Sequence, residues 1–272
     1  RGTTYTTNSS ISIANKSNIT LGSYGTGPDA KLVASGTGYY FININSSSNV
    51  VVSDLEITSS GTWKAGVIIQ GTNSANNLVD NCLIHNVEWG VRILTASAGN
   101  KVMNSTIHNI GDDGIYVKDA SSIEIGFCNI YDVNRKFLVN PDQSYSAGDG
   151  IQLASTNNLY FNIHDNIIDH SSMGNKFCII AWGGNFSGVI ENNTLIGTPS
   201  TSGIYISPTT NTVTVRYNTI KNSNYGIYSY ASVLDAYYNI FSENRSGINI
   251  LPSYSLNARN NVFYNNTNTG VS

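Results

Sequence analysis

Apolar and polar residues alternate in short bursts along most of the chain. Val91-Arg92-Ile93, Ile115-Tyr116-Val117, Ile151-Gln152-Leu153, Ile204-Tyr205-Ile206 and Ile248-Asn249-Ile250 each read inside, outside, inside. Period-two alternation over so few residues predicts short strands buried on one face. No stretch carries a helical period. Each burst follows a glycine, as in Gly66-Val67, Gly90-Val91, Gly114-Ile115, Gly150-Ile151, Gly203-Ile204, Gly226-Ile227, Gly247-Ile248 and Gly270-Val271. The intervening turns are rich in Asn, Ser and Gly, which tolerate left-handed backbone.

A second phrase, Asn-x-(Ile/Leu/Phe), runs in phase with the first. It occurs at Asn166, Asn193, Asn218, Asn239 and Asn261, at intervals of 27, 25, 21 and 22 residues. Self-similarity at this period marks a solenoid. Earlier rungs carry Leu55, Cys82, Ser105 and Cys128 at the same place. An inward Asn there would bond turn backbone and the Asn of the next rung, the condition on which buried polar groups persist. Rungs without a helix cannot form a leucine-rich horseshoe. The prediction is all-β: a right-handed parallel β-helix, a single-stranded solenoid of about ten coils of 21–27 residues, read as one domain over 1–272.

Composition narrows the partners. Only 11% of residues are charged, so the placement of each cation is informative. A net charge of −3 lacks the basic face that nucleic acid requires. No apolar run is long enough to span a bilayer. Cys82 and Cys128 fall two rungs apart, about twice the 4.8 Å strand spacing and too far for a disulfide, so three free thiols are expected with Cys178. The chain opens on strand-like residues, Arg1-Gly2-Thr3-Thr4-Tyr5, and a signal and cap are expected upstream. Abundant Tyr, Asn, Ser and Thr with little charge suit a secreted, monomeric, carbohydrate-active protein.

The repeat is broken in two places. From Cys82 to Ser105 to Cys128 the steps are 23 residues, but from Cys128 to Asn166 the step is 38. The surplus is a loop at 133–147 carrying Arg135, Lys136, Asp142 and Tyr145. Long loops on rigid scaffolds tend to carry function. In the following rung Lys176-Phe177 stands where the others have Gly-Ile, which puts an amine beside that loop. The outward column then reads Arg92, Tyr116, Gln152, Cys178, Tyr205, Tyr228 and Asn249, with Lys118, Ile180 and Tyr230 in the next column. Aromatic faces suit sugar rings and cations suit carboxylates. Asp112-Asp113-Gly114 and Asp149-Gly150 stack Asp113 against Asp149. Such a pair would bind Ca²⁺, raise each other's pKa, catalyse hydrolysis, or simply cap a turn.

These phrases, with Ala147-Gly148-Asp149-Gly150-Ile151-Gln152 and Asn175-Lys176-Phe177, resemble the secreted right-handed β-helix polysaccharide lyases of the pectate-lyase superfamily, most nearly the bacterial alginate lyases. The resemblance implies β-elimination on an anionic uronic-acid polymer, alginate first. Lys176 is the candidate base and Tyr145 the candidate acid, with Tyr116 as substitute. Arg135, Lys136 and Lys118 are candidates for the substrate carboxylate; Tyr116, Asp149, Gln152, His170, Tyr205 and Tyr228 are further substrate-binding candidates. No cofactor is required, and Ca²⁺ at Asp113 and Asp149 is the one metal considered. Tyr-Gly-x-Asp-Pro-His, typical of mannuronan epimerases, is absent. The alternatives are an inverting polygalacturonase-type hydrolase using Asp112, Asp113 and Asp149, whose Gly-His-Gly and Arg-Ile-Lys phrases are also absent, and a non-catalytic glycan-binding solenoid.

Overall fold

The computed structural model describes residues 1–133, 148–172 and 177–272. Every described element is a strand, and every strand pairing is parallel. A single coil shows the plan. Leu83–Val87 runs along one face, Trp89–Leu94 along a second and Asn100–Met103 along a third, before Thr106–Ile110 begins the next coil beside the first. We call these faces the short stack, the groove stack and the back stack. Eleven strands succeed one another in the short stack. This is the parallel β-helix that the repeats predict.

Inward residues form one continuous core. Ile57, Ile84, Ile107, Ile130 and Ile168 line the short stack, while Val67, Val91, Ile115, Ile151, Ile179, Ile204 and Ile227 line the groove stack, all buried. Stacking like side chains at each level leaves no room for more than a hydrogen at the glycine slots. At Gly150 a Cβ would meet the Cys178 carbonyl oxygen at 2.6 Å and Ile168 Cγ2 at 2.5 Å.

The corner between back stack and short stack is the most regular part. A left-handed residue turns the chain there: Asn81, Asn104, Phe127, Asp165, Asn192, Tyr217, Tyr238 and Asn260 all have φ between 47 and 58°. The next residue points inward. Asn193 Oδ1 accepts the Asn166 N–H at 2.9 Å, Asn218 Oδ1 accepts that of Asn193 at 2.9 Å, and Asn239 Oδ1 accepts that of Asn218 at 3.0 Å. Each amide nitrogen also donates to a carbonyl of the preceding rung, as Asn193 does to Ile163 at 3.0 Å. The Cys128 N–H donates to Asn166 Oδ1 at 2.9 Å across a separation of 38 residues. Those two rungs are therefore direct neighbours, and the surplus falls between them in the chain. Shorter ladders unmarked by the repeat stand elsewhere, at Asn77–Asn100 and Ser223–Asn244–Asn266.

The three cysteines are free and buried, as expected. Burial pushes the Cys82 and Cys128 thiols up to about 12, and that of Cys178 further in the same direction. They act as small apolar fillers.

Candidate functional site

Register decides which side chains share a face. Along the groove stack, Arg92 pairs with Tyr116, Tyr116 with Gln152, Gln152 with Ile180, Ile180 with Tyr205 and Tyr205 with Tyr228. The next outward row runs Leu94, Lys118, Ala154 and Trp182. Tyr116, Lys118, Gln152, Tyr205 and Tyr228 therefore do face one groove. The expected register is wrong by two residues in one rung. Ile151 pairs with Ile179 and Gly150 lies beside Cys178, so Cys178-Ile179 fills the Gly-Ile slot in place of Lys176-Phe177. A small apolar thiol fits that inward slot, whereas a lysine there would be buried in the core. Ile180 replaces Cys178 in the outward column, and Trp182, 57% exposed, replaces Ile180 in the next.

The two halves of the groove differ in chemistry. Toward the C-terminus it is an aromatic wall. Phe177 and Tyr205 lie 5.1 Å apart between ring centroids, Tyr205 and Tyr228 5.8 Å, and Tyr225 stacks on Tyr228 at 5.1 Å. The hydroxyls of Tyr228 and Tyr230 share a hydrogen bond of 2.8 Å, which with burial keeps the Tyr228 phenol protonated. Toward the N-terminus a cation dominates. The Arg92 guanidinium lies 4.2 Å from the Trp89 ring centroid and 5.3 Å from that of Tyr116. Among the described residues it has no ion-pair partner, and its buried Nε has no acceptor. Burial raises the Tyr116 phenol, against the opposing effect of Arg92. Between the halves lies a cleft of about 330 Å³ lined by Tyr116, Lys118, Gln152, Ala154, Thr156 and Trp182.

Asp113 and Asp149 stack as expected, but each is only 2% exposed. The Asp149 N–H donates to Asp113 Oδ1 at 2.8 Å, and the Phe177 N–H to Asp149 Oδ1 at 2.9 Å. Gln152, with its amide nitrogen turned toward Asp113, donates to both carboxylate oxygens at 3.2 and 3.3 Å. The Trp89 side chain adds another bond to Asp113. These carboxylates hold the turns and orient the groove floor. Burial first, then the neighbouring carboxylates Asp112 and Asp149, raise the Asp113 pKa well above its ordinary value. Among the described residues no three His, Cys, Asp or Glu side chains converge as metal ligands.

His170 is displaced from the expected set. It is fully buried, in the place that Val87 and Val133 take under the glycines of other rungs, with its Nε2 3.2 Å from where a Gly150 Cβ would lie. Among the described residues neither ring nitrogen has a partner, and desolvation lowers its pKa from 6.5 to about 4. A neutral imidazole sealed in the core does not touch a polymer in the groove. Lys176, Tyr145, Arg135 and Lys136 lie outside the described residues. Period-two counting puts Trp89 in the phase of the inward Val91 and Ile93, so the alternation that places Arg92 outward does not mark Trp89, and the aromatic clamp depends on side-chain direction across two rungs. Glu88 was missed as well. It is 5% exposed, burial raises its carboxyl pKa against Lys64 and Arg92, and its Oε2 has no partner among the described residues.

A second cleft of about 330 Å³ opens on the short stack, lined by Tyr131, Asp132, Ile167, Asp169, Ser171 and Ser172. Among the described residues its charged lining groups are the carboxylates Asp132 and Asp169.

A family model for the right-handed β-helix region matches residues 3–186 and 89–263. The chain belongs to that family. No curated protein matches it. Among solved structures, the A-module of mannuronan C-5 epimerase AlgE4 from Azotobacter vinelandii is 14% identical with a TM-score of 0.53, over all of this chain and 88% of that one. Pectate lyase Pel9A is 15% identical with a TM-score of 0.52, over 99% of this chain and 67% of that one. The GH136 lacto-N-biosidase from Eubacterium ramulus is 12% identical with a TM-score of 0.52, over 97% of this chain and 61% of that one. At these identities the likeness establishes a shared β-helix fold. The neighbours' names span an epimerase, a lyase and a glycosidase, so the fold leaves the reaction open.

Proposed function

We propose that the groove stack binds an anionic uronic-acid polysaccharide, alginate first among them, and that the chain cleaves it by β-elimination. The observation that carries this reading is the Arg92 guanidinium, clamped between Trp89 and Tyr116 with no ion-pair partner among the described residues. A planar cation held in place in this way is suited to a ligand carboxylate. The tyrosine wall beside it offers ring faces and hydroxyls to successive sugars.

Elimination needs the uronate carboxylate neutralised, the C5 proton removed and the departing O4 protonated. Arg92, with Lys118 further along the groove, serves the first need, and stabilising the developing enolate is the largest catalytic contribution. Tyr116, kept protonated by burial, serves as proton donor to O4. Lys176 is the proposed base, with Tyr145, Arg135 and Lys136 as partners from the inserted loop. These four lie outside the described residues and rest on sequence alone, and the glycine slot that the repeat assigns to Lys176 belongs to Cys178. A polymeric substrate of this kind places the protein outside the cell.

A second reading is hydrolysis. Glu88 and Asp112 occupy neighbouring rungs, joined by a backbone bond of 2.7 Å, and the raised pKa of Glu88 suits a proton donor. Incubation with polymannuronate, polyguluronate, polygalacturonate and hyaluronan separates the two. Ultraviolet absorbance from unsaturated uronate ends is the expected result. New reducing ends without that absorbance would transfer the function to Glu88 and Asp112. Binding without scission would leave a glycan-binding solenoid.

A further inference from the structure

The edge of the groove continues beyond the residues of the proposed centre. Tyr40 pairs with Ala65 and Ala65 with Trp89, so Tyr39, Lys64 and Glu88 follow one another on the edge where the chain enters the groove stack. Around the first two lies a cleft of about 380 Å³, lined by Thr37, Gly38, Tyr39, Thr62 and Lys64. Lys64 Nζ lies 5.1 Å from the centroid of the Tyr39 ring, and Tyr39 is 67% exposed. Among the described residues Lys64 makes no ion pair. Glu88 is near enough for Lys64 to lower its pKa but too far to form an ion pair.

The floor of this cleft is fixed by the core. Trp63 is 2% exposed and its Nε1–H donates to the Ser35 carbonyl at 3.0 Å. Its ring passes directly beneath Gly38, where any Cβ would come within 2.4 Å. The strand edge can cross the ring only because residue 38 has no side chain, and the crossing holds Tyr39 outward. An aromatic face, an ammonium over it that makes no ion pair among the described residues and two threonines on a rigid floor make a site suited to an acidic sugar.

Position supplies the second half of the argument. The Lys64 rung adjoins that of Arg92, but Ile68 is the residue paired with Arg92, so Lys64 stands in the row of Glu88, four residues to one side. One rung of about 4.8 Å and four residues of about 3.3 Å put the two positions roughly 14 Å apart on the diagonal, so a uronate chain crossing the groove stack obliquely brings a carboxylate to Lys64 when Arg92 holds a sugar nearer the centre. We infer that the Tyr39–Lys64 cleft is a distal subsite of the groove that binds the carboxylate of an acidic sugar. This inference rests on the proposed function, and its ligand is a uronate residue of the same polymer.

The test is calorimetric binding of uronate oligomers of increasing length to wild type, Lys64→Ala, Lys64→Arg and Tyr39→Ala, with melting temperatures recorded in parallel. For wild type, affinity rises by about tenfold once the oligomer is long enough to reach the cleft. In Lys64→Ala that length-dependent gain falls below about twofold, while Lys64→Arg retains it and neutral oligosaccharides show none in any variant. Tyr39 and Lys64 are surface positions, so melting temperatures stay unchanged. An equal gain in wild type and Lys64→Ala, or no gain in wild type, overturns the distal subsite while leaving the centre standing. A wild-type chain that binds no uronate oligomer of any length overturns the parent reading.

Discussion

Two corners of the same coil are built from the same repeat and behave differently. Where the back stack turns into the short stack, each inward Asn from Asn166 to Asn239 bonds the rung before it and the rung after it. Where the short stack turns into the groove stack, the rungs vary in length, the long insertion falls, and polar groups are buried without partners. Six buried side-chain atoms lack a hydrogen bond among the described residues: Glu88 Oε2, Arg92 Nε, Asn109 Oδ1, Asn162 Oδ1 and both ring nitrogens of His170. Five of the six stand at or beside this second corner, and none belongs to the Asn ladder. A satisfied network rigidifies and repeats; unsatisfied polar groups concentrated at one edge mark where stability has been given up for a site.

The largest expected effect comes from breaking the regular corner. Asn193→Ala removes the acceptor of the Asn166 N–H and the donor to Ile163, and should cost about 3 kcal/mol or more in urea unfolding. A replacement at the irregular corner should instead gain stability under acid. His170 is held neutral, with its pKa lowered from 6.5 to about 4, so between those values the unfolded chain binds the proton that the folded chain refuses. Stability is therefore complete above about pH 6.5, declines as pH falls toward 4, and loses nothing further from this group below that. The loss is on the order of 3 kcal/mol. His170→Val, which installs the side chain that Val87 and Val133 supply in the same place, should abolish this slope in pH-dependent denaturation; a slope unchanged in the variant would assign it to other groups.

Function should be sensitive to Arg92 where stability is not. Arg92→Ala is expected to lower kcat/KM by about a hundredfold, with unfolding free energy changed by less than about 1 kcal/mol. Arg92→Lys should fail to restore activity, because an ammonium does not fill the flat space between Trp89 and Tyr116. The smallest effect belongs to Tyr230→Phe, which removes only the hydroxyl bond to Tyr228. It should cost less than about 1 kcal/mol in thermal unfolding and leave affinity for long oligomers within a few-fold.

The fold was legible because period-two alternation and the Asn repeat are consequences of stacking itself. Each rung must bury the same positions, so the sequence repeats what the geometry repeats. The groove was partly legible for the same reason: Tyr116, Lys118, Gln152, Tyr205 and Tyr228 share a face because they share a phase. Counting failed at the one rung where the glycine is replaced. Cys178 fills the slot through its small size, and nothing in Lys176-Phe177-Cys178-Ile179 distinguishes by composition which pair turns inward. The roles of Asp113, Asp149 and His170 were not legible either. Aspartate before glycine serves a turn or a substrate equally well in sequence, and only the structure shows each carboxylate buried and accepting the N–H of the next rung. The Arg92 clamp depends on rings from two rungs meeting one guanidinium, a contact that no linear spacing records.

The central claim is that the irregular edge of the groove stack receives an acidic glycan. Tryptophan fluorescence tests it directly, because the chain has three tryptophans, of which Trp89 and Trp182 stand on this face and Trp63 is buried. Titration with a uronate oligomer should change the emission saturably in wild type, much more weakly in Arg92→Ala, and not at all with a neutral oligomer. Binding detected calorimetrically while the emission of Trp89 and Trp182 stays constant would contradict the account, since the glycan would then lie on another face of the coil.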